Sequence, residues 1–378
     1  MGDVPLLGHC VDRAPGHTRW HPVRTPASPL PNQRHLFEIP DDLAYFNTAS
    51  LSPQLRSVRA AGEDALARRA APWGIAAADW FDEAEVLRGL FARLLGADAD
   101  GCALIPATSY GLAVAARNVE GSPGDRVVLT ADDYPSTVYT WRAWARRTGA
   151  EIVTVDRGEG ETWTDAVLNA IDERSRVVSM PNVRWTDGAL IDLVRVSERA
   201  RDAGAVMVVD ATQSLGAMPF DTAVVRPDYF VATGYKWLLG PFSVAYLFVA
   251  EEHRDGEPIE ENWINRAGAE DFAGLTDYSD EYRPGARRFD VGQRTNFTLT
   301  PMAIAALRQL LEWGVEDIAA TLGGVTGRIE REARERGLDV PAAADRGPHM
   351  LGIALPPEGR DAIAGRLAAA NVVVGMRG

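Results

Sequence analysis

The sequence predicts an α/β fold built on a mainly parallel β-sheet, and two patterns support this prediction. From residue 102 to residue 249, short apolar runs alternate with amphipathic stretches. Strands that alternate with helices form parallel sheets covered on both faces, with right-handed crossovers. After residue 250 an acidic, irregular stretch interrupts the alternation. This change indicates a second, smaller α/β unit in the C-terminal part of the chain.

The elements of the two units follow in a regular order. Apolar runs predict strands over residues 102–106, 126–130, 151–155, 177–181, 205–209, 229–233 and 244–249. The stretches between them predict helices over residues 110–118, 136–147, 164–171 and 192–203. In the second unit we predict helices over 301–313 and 315–335, followed by a strand, a helix and a strand over 349–355, 359–370 and 372–374.

Composition limits the size of the fold and the kinds of partner. The chain has 378 residues, of which 46% are hydrophobic and 24% are charged, so it is long enough for about two domains with their own cores. A formal net charge of -14 argues against nucleic acid and anionic membranes as partners. No apolar run reaches the ~18 residues that a membrane helix needs, and no secretion signal follows Met1. We therefore expect a cytoplasmic protein.

Residues 1–30 are rich in proline, arginine and histidine and show no periodicity. This composition is typical of a disordered leader, or of upstream sequence read from a misplaced start. Four potential metal ligands lie there, namely His9, Cys10, His17 and His21. The leader is the simpler interpretation, so we expect no metal site. The two cysteines also exclude a disulfide framework and a zinc ribbon.

One residue type has an unusual count. Lysine and arginine together number 39, and Lys236 is the only lysine. Mutational bias in a GC-rich genome replaces lysine by arginine wherever a surface cation is sufficient. This bias explains the many arginines but does not explain why one lysine remains. Lysine offers a primary amine that loses its proton readily, whereas arginine stays charged. Lys236 is therefore a candidate for chemistry.

Polar residues follow the strands of the predicted sheet at the points where the strands end. In a parallel sheet these ends meet at one crevice, where ligands bind. Singly, each polar residue has a simpler explanation as a helix cap, a turn former or a packing residue. Five strand ends nevertheless contribute the following set to one crevice: Thr108, Ser109, Tyr134, Asn182, Asp210, Gln213, Thr233, Tyr235 and Lys236.

Other common cofactor and hydrolase sites are excluded by their motifs. The only lysine lies in Tyr-Lys-Trp, so there is no phosphate-binding Gly-Lys-Ser/Thr. No G-x-G-x-x-G connects a strand to a helix, which excludes a dinucleotide fingerprint, and no G-x-S-x-G is present.

The remaining set of residues fits pyridoxal 5'-phosphate (PLP). The aldehyde of PLP needs a primary amine, which Lys236 provides. Its pyridine nitrogen stays protonated against a carboxylate, which Asp210 provides. Its phosphate suits the N–H groups and hydroxyls at a helix N-terminus, where Thr108 and Ser109 lie. The residue types therefore predict PLP as the cofactor.

Two segments make the chain similar to a known family. VVDATQSLGAMPFD, followed by PDYFVATGYKWLLGP, resembles the class V aminotransferase group of PLP-dependent enzymes. That group also contains cysteine desulfurases and proteins like isopenicillin N epimerase, and the resemblance covers about residues 31–378. It implies the type I fold of PLP-dependent transferases. This fold has a large domain with a mainly parallel, helix-covered sheet and a smaller C-terminal α/β domain.

The resemblance also implies roles for the residues at the strand ends. Lys236 would form the internal aldimine, a Schiff base, and Asp210 would pair with the pyridinium nitrogen. Gln213 would lie near the ring hydroxyl with Asn182 beside it, and Tyr134 would stack on the ring. The implied contacts to the phosphate are Thr108, Ser109, Thr233 and Tyr235.

The resemblance divides the chain into four parts. The leader of residues 1–30 is followed by residues 31–70, which pack with the small domain, a large PLP-binding domain over 71–286 and a small domain over 287–378. Relatives continue with a further strand and a closing helix, so we expect the small domain to lack both. That part usually bears the arginine that holds a substrate carboxylate, and Arg266 and Arg294 are the candidates in this chain.

Two further features bear on the reaction and the assembly. Cysteine desulfurases carry a reactive cysteine in the C-terminal domain, and no cysteine follows Cys102, which lies in a predicted buried strand. We therefore expect no desulfurase of that mechanism. RRFDVGQRTNF resembles the segment that reaches the neighbouring subunit's cofactor, which implies a homodimer with shared active sites.

The sequence thus predicts a PLP-dependent enzyme that acts on an amino acid or an amine, with transamination as the leading reaction. A PLP-dependent lyase or epimerase is the first alternative. A non-catalytic protein of the same fold is the second.

Overall fold

This computed structural model describes residues 28–355 and 358–377, and strands alternate with helices from residue 102 to residue 233. The strands are β1 (Ala44–Tyr45), β2 (Cys102–Ile105), β3 (Arg126–Thr130), β4 (Glu151–Val155), β5 (Ser175–Pro181), β6 (Val206–Asp210), β7 (Tyr229–Thr233), β8 (Ala245–Val249) and β9 (Val372–Val373). The α-helices are α1 (Arg56–Arg69), α2 (Asp82–Leu95), α3 (Thr108–Asn118), α4 (Pro135–Thr148), α5 (Trp163–Ala170), α6 (Leu193–Asp202), α7 (Thr222–Val225), α8 (Leu299–Trp313), α9 (Val315–Glu335) and α10 (Arg360–Ala369).

Seven strands form one sheet in the order β2-β8-β7-β6-β5-β3-β4. The pairs from β7 through β4 are parallel, whereas β8 is antiparallel to both of its neighbours. Strand β2 consequently runs in the direction of the parallel strands. The mainly parallel sheet is confirmed, and six strands end at the same edge, where ligands bind in such sheets.

Helices cover both faces of the sheet because successive residues of a strand point to opposite sides. Val127 and Val208 belong to the core beneath α3 and α4, where Trp141 is fully buried. The next residues along the chain, Val128 and Val209, belong to the core on the other face. Strands buried on both faces are apolar throughout, which is why unbroken apolar runs predicted them.

The N-terminal and C-terminal segments meet in a second, two-stranded sheet. Strand β1 pairs with β9 in parallel, with Ala44 opposite Val372. Helix α8 packs against both α1 and α2. The domain boundaries predicted above stay a prediction. None of the helices in the described residues is long and apolar enough to cross a membrane.

The strand predicted over residues 349–355 is wrong. Within this segment only Ala354 makes a β-bridge, an isolated one with Asp339. The N–H of Gly352 instead donates to the carbonyl of Asp187 at 3.0 Å. A Cβ atom on Gly352 would lie 2.5 Å from that carbonyl oxygen, so the glycine permits the approach. The segment packs on a loop of the large sheet unit, and no strand in the described part of the chain pairs with it.

Candidate active site

A cavity of about 360 Å³ lies at the carboxyl edge of the sheet. The loops that follow β2, β3, β5, β6 and β7 contribute to its wall. Of the residues predicted from the sequence, those that line it are Thr108, Ser109, Tyr134, Asp210, Gln213, Thr233, Tyr235 and Lys236. The structure brings these side chains together, while their individual roles stay predictions.

Lys236 follows β7 and is 5% exposed. Its Nζ lies 5.5 Å from the centre of the Tyr134 ring and 5.9 Å from that of Tyr235. Burial lowers the pKa of Lys236, although the charge of Asp210 opposes this shift. A lowered pKa increases the fraction of neutral amine at neutral pH, and a nucleophile or proton acceptor needs that form.

Asp210 is the last residue of β6 and faces the cavity. The protein atoms around it raise the pKa of its carboxyl through burial, which penalises the charged form. Hydrogen bonds from Thr212, including one from its N–H at 2.9 Å, and the charge of Lys236 act in the opposite direction. A cation placed against this carboxylate would therefore be held strongly, because it would offset the cost of burial.

The N-terminus of α3 forms another part of the wall. The residue before the helix, Ala107, has no side-chain acceptor for the first N–H groups, and the cavity is lined from Pro106 to Ser109. Unpaired N–H groups and the helix dipole favour an anion at such a position. The hydroxyls of Thr108 and Ser109 add donors of the kind that a phosphate group accepts.

Aromatic rings line two sides of the cavity. The Tyr134 ring meets Trp185 edge to face, with 5.7 Å between centres and an angle of 88°. On the other side, Tyr235 packs against Phe242 at 4.6 Å. Tyr134 lines the cavity and is 37% exposed, so part of the residue is accessible to a ligand.

Asn182 is the one predicted cofactor contact that does not line the cavity. It follows β5 and is buried between two residues that do line it, Pro181 and Val183. Its Nδ2 donates to the carbonyl of Ile191 at 3.3 Å, whereas its Oδ1 has no partner among the described residues. The contact between Asn182 and the cofactor stays a prediction.

Asp133 lines the cavity but was not among the site residues predicted from the sequence. Its Oδ1 accepts the N–H of Tyr134 at 2.6 Å, and its Oδ2 has no partner among the described residues. Burial raises the pKa of Asp133 to about 7, and the charge of Asp210 adds to this shift. The signal was present in the segment DDYP after a strand, but aspartates before a proline are ordinary turn residues.

The two arginines proposed from the sequence as carboxylate anchors lie outside the cavity lining. Arg266 pairs with Glu261, and Arg294 is buried 3.1 Å from Asp290. A third arginine, Arg377, lies over the ring of Trp185 at 5.4 Å, and its charge lowers the pKa of Lys236. Arg377 is therefore a cation beside the cavity that was not among the two arginines predicted.

Of the two cysteines, the structure describes only Cys102. Cys102 is fully buried in β2, and burial raises the pKa of its thiol to about 12, so it is not a reactive nucleophile. Cys10 and the three histidines near it lie outside the described residues.

His349 lies behind the cavity and gives a prediction for stability. Its Nε2 shares a hydrogen bond with the carbonyl of Gln213, and burial lowers its pKa from 6.5 to about 4, with a further contribution from Arg346. Between these two pH values the unfolded chain binds more protons than the folded one. Stability from His349 is therefore lost as the pH falls from 6.5 to about 4, by about 3 kcal/mol.

A matched variant isolates this effect. The raised pKa of Asp133 acts with the opposite sign over part of the same range, because its folded form holds a proton that the unfolded form releases. We therefore compare the wild type with His349→Gln, whose side chain does not titrate, by denaturant unfolding at several pH values. The free energy of unfolding of the wild type should exceed that of His349→Gln by less as the pH falls. Curves of the two free energies against pH that stay parallel would contradict the prediction.

A comparison of the sequence with models of protein families identifies the family of this chain. The family model described as Aminotransferase class-V matches residues 66–268, which is more than half of the chain. The chain belongs to the class V aminotransferase family. The resemblance stated from two segments is thereby confirmed, as is the prediction of an enzyme of this PLP-dependent, aminotransferase-like type.

Curated relatives of this class V protein differ in their activities. The uncharacterized aminotransferase YcbU of Bacillus subtilis is 29% identical over 78% of this chain and 77% of its own. A kynureninase of Deinococcus radiodurans is 30% identical over 73% and 68% of the two chains. The isopenicillin N epimerase of Streptomyces clavuligerus is 26% identical over 73% and 71%. The family is settled, but these relatives do not select one reaction.

Solved structures confirm the type I fold of this class V protein. The apo cysteine desulfurase of Thermococcus onnurineus has a TM-score of 0.77 and 20% identity, and covers 90% of this chain and 86% of its own. A K223A mutant of C-DES, described with glycine covalently linked to its PLP cofactor, has a TM-score of 0.80 and 17% identity over 91% and 92%. At these identities the likeness concerns the fold alone.

Proposed function

We propose that this class V protein binds PLP in the cavity and uses it on an amino acid or an amine, with transamination as the leading reaction. One observation carries the proposal: the only lysine of the chain, the half-buried carboxyl group of Asp210 and a helix N-terminus all line the same cavity. The family and a fold neighbour that carries PLP support it.

The donors and acceptors of the cavity match the parts of PLP. When bound, PLP supplies an aldehyde that reacts with a primary amine and an electron-withdrawing pyridine ring. Lys236 would hold the cofactor, Asp210 would keep the ring nitrogen protonated, and the N-terminus of α3 would bind the phosphate. The ring of Tyr134 would stack on the pyridine ring. Each group of this set has a task, and none of the tasks requires a metal.

Lys236 is also the group that we propose to move a proton. Its Nζ, whose pKa is lowered by burial, would accept the proton from the substrate carbon and return it at another position. Transamination, epimerisation and elimination all begin with removal of a proton, so the same residues serve each of them. The kynureninase and epimerase relatives make a lyase or an epimerase the second candidate.

Arg377 is the cation that we propose for a substrate carboxylate. Its guanidinium lies over Trp185, a residue of the cavity wall, and its charge acts on Lys236. No acidic side chain within the described residues forms an ion pair with it. An exposed arginine without such a pair can bind a carboxylate through two parallel hydrogen bonds. Its presence favours amino acids over simple amines.

The test is a substrate screen followed by identification of the product. PLP should give the protein a visible absorbance band, and amino acids should change the band more readily than the amines that lack the carboxylate. Arg377→Gln should remove that preference and leave the response to amines in place. Formation of a keto acid would support transamination, whereas inversion or cleavage of the substrate would favour the epimerase or lyase. No band with added PLP would overturn the proposal.

A catalytic and a non-catalytic protein are distinguished in the same screen. A band that no amino acid or amine changes would favour a non-catalytic protein of this fold. Retention of both Lys236 and Asp210 in one cavity supports the catalytic alternative.

We also propose a homodimer with shared active sites. Large aromatic side chains are exposed at Trp73 (87%), Phe242 (65%) and Tyr278 (90%), and Phe242 lines the cavity as well. Burial of such side chains between subunits would remove apolar surface from water. Light scattering should give twice the chain mass of 41.0 kDa. The cytoplasmic location stays a prediction.

A further inference from the structure

The side-chain amide of Gln213 makes two hydrogen bonds inside the protein. Its Oε1 accepts the indole N–H of Trp237 at 2.9 Å. Its Nε2 donates to the carbonyl of Ala49 at 3.0 Å. Trp237 directly follows the only lysine, and Ala49 lies in the loop after β1. The amide is thus held from two sides while it lines the cavity.

Each of these partners accepts only one orientation of the amide. An indole nitrogen is a donor and never an acceptor, so Trp237 can pair with the oxygen of Gln213 but not with its nitrogen. A backbone carbonyl is an acceptor, so Ala49 can pair only with the nitrogen. The orientation with Oε1 at Trp237 and Nε2 at Ala49 is the one that satisfies both. One hydrogen of Nε2 remains for a ligand.

We propose that Trp237 is a positioning residue that makes Gln213 a hydrogen-bond donor toward the cofactor. The inference rests on the proposed binding of PLP. Three polar parts of PLP already have partners in the cavity, at Lys236, at Asp210 and at the N-terminus of α3. The remaining polar part is the hydroxyl group on the pyridine ring. A neutral N–H donor beside its oxygen stabilises the anionic form of this hydroxyl group.

The surroundings of the amide favour a fixed geometry. The ring of His349 meets the Trp237 ring at 4.4 Å and 74°, and its Nε2 shares a hydrogen bond with the backbone carbonyl of Gln213. The titratable and charged groups of the cavity wall are Lys236, Asp210, Asp133, Tyr134 and Tyr235. Arg377 lies over the wall residue Trp185, and His349 and Arg346 lie behind the wall. His349 contacts the indole ring and the backbone but makes no hydrogen bond to the side-chain amide, which suits it for a control.

The experiment measures the pH titration of the visible band of the PLP-loaded protein. Trp237→Phe keeps an aromatic ring but removes the N–H, so Oε1 loses its partner and the amide loses its fixed orientation. The apparent pKa of the band should rise by about one to two pH units, which corresponds to the loss of a hydrogen bond to an anion. The dissociation constant of PLP, measured by fluorescence, should rise as well.

Two further variants decide the interpretation. His349→Phe disturbs the packing of Trp237 without removing its N–H, and the pKa of the band should stay at the wild-type value. Gln213→Glu accepts the indole N–H but has none to donate to the cavity, and both this loss and the added negative charge should raise the pKa of the band. Gln213→Glu is used for the test if Trp237→Phe does not fold.

The outcomes separate this inference from the proposed function. The positioning role would be overturned if the pKa of the band in Trp237→Phe equals that of the wild type. If Trp237→Phe does not fold, the same outcome in Gln213→Glu would overturn it. An equal rise in His349→Phe would also overturn it, because packing alone would then account for the shift. A wild-type protein without any visible band in PLP would overturn the proposed function, and this inference with it.

Discussion

Lys236→Ala should abolish the visible band of the PLP-loaded protein and reduce turnover by at least about 10²–10⁴-fold, the usual contribution of a positioned proton-transfer group. The substitution removes the only primary amine that a side chain of this protein offers. No arginine can replace it, because a guanidinium stays protonated. Absorbance spectra and steady-state rates of the two proteins provide the measurement.

The single lysine permits a sharper form of this experiment. Reduction of the loaded protein with borohydride should fix one cofactor per chain, and mass spectrometry should find it on the peptide that contains Tyr235 and Lys236. The matched control is Lys236→Arg, which keeps the positive charge but offers no amine to reduce onto. Label on the N-terminal amine alone, or equal label in the control, would contradict the assignment of Lys236.

The sheet was predictable from sequence, and the reason is the burial of both of its faces. Strands such as Tyr229–Thr233 are buried at every residue, so they appear as unbroken apolar runs. Helices α1 and α2 were not predicted, since they precede the region of regular alternation. Residues 349–355 form a similar apolar run but pack on a loop, because strand formation also requires a neighbouring strand.

The site was predictable where chemistry restricts the residue type at a strand end. Lysine and aspartate are such cases, because PLP, the proposed cofactor, would need an amine and a carboxylate, which Lys236 and Asp210 offer. The raised pKa of Asp133 was not predictable, because it results from packing around a residue that is usually found in turns. The bond between Trp237 and Gln213 joins residues of two different loops, and such pairings are set by tertiary structure.

A buried ion cluster outside the cavity lining gives the second large effect. The carboxylate of Asp290 lies 2.6 Å from Nη2 of Arg88 and 3.1 Å from Nε of Arg294, and all three side chains are inaccessible to solvent. Its Oδ1 also accepts the N–H of Leu104 at 2.7 Å. Asp290 therefore connects α2 and the edge strand β2 to the segment that leads into α8. The buried carboxylate raises the pKa of Arg88 and keeps it charged.

Asp290→Ala should lower the free energy of unfolding by about 3–5 kcal/mol, the usual cost of leaving a buried charge without its partner. Arg294 would lose its carboxylate, and Arg88 would keep only the more exposed Glu85 at 3.3 Å. Neither guanidinium can shed its proton at neutral pH. The matched control is Glu38→Ala, because Glu38 pairs with Arg56 and Arg59 in a half-exposed position. Screening by water limits that loss to about 0–1 kcal/mol.

Denaturant unfolding followed by circular dichroism gives both free energies, and an unchanged dependence on denaturant shows that the folded states are comparable. Asp290 does not line the cavity, so the folded variant should still develop the visible band with PLP. Loss of stability together with retention of the band would separate the support of the fold from the chemistry of the cavity. A loss no larger than that of Glu38→Ala would show that Arg88 and Arg294 find other partners.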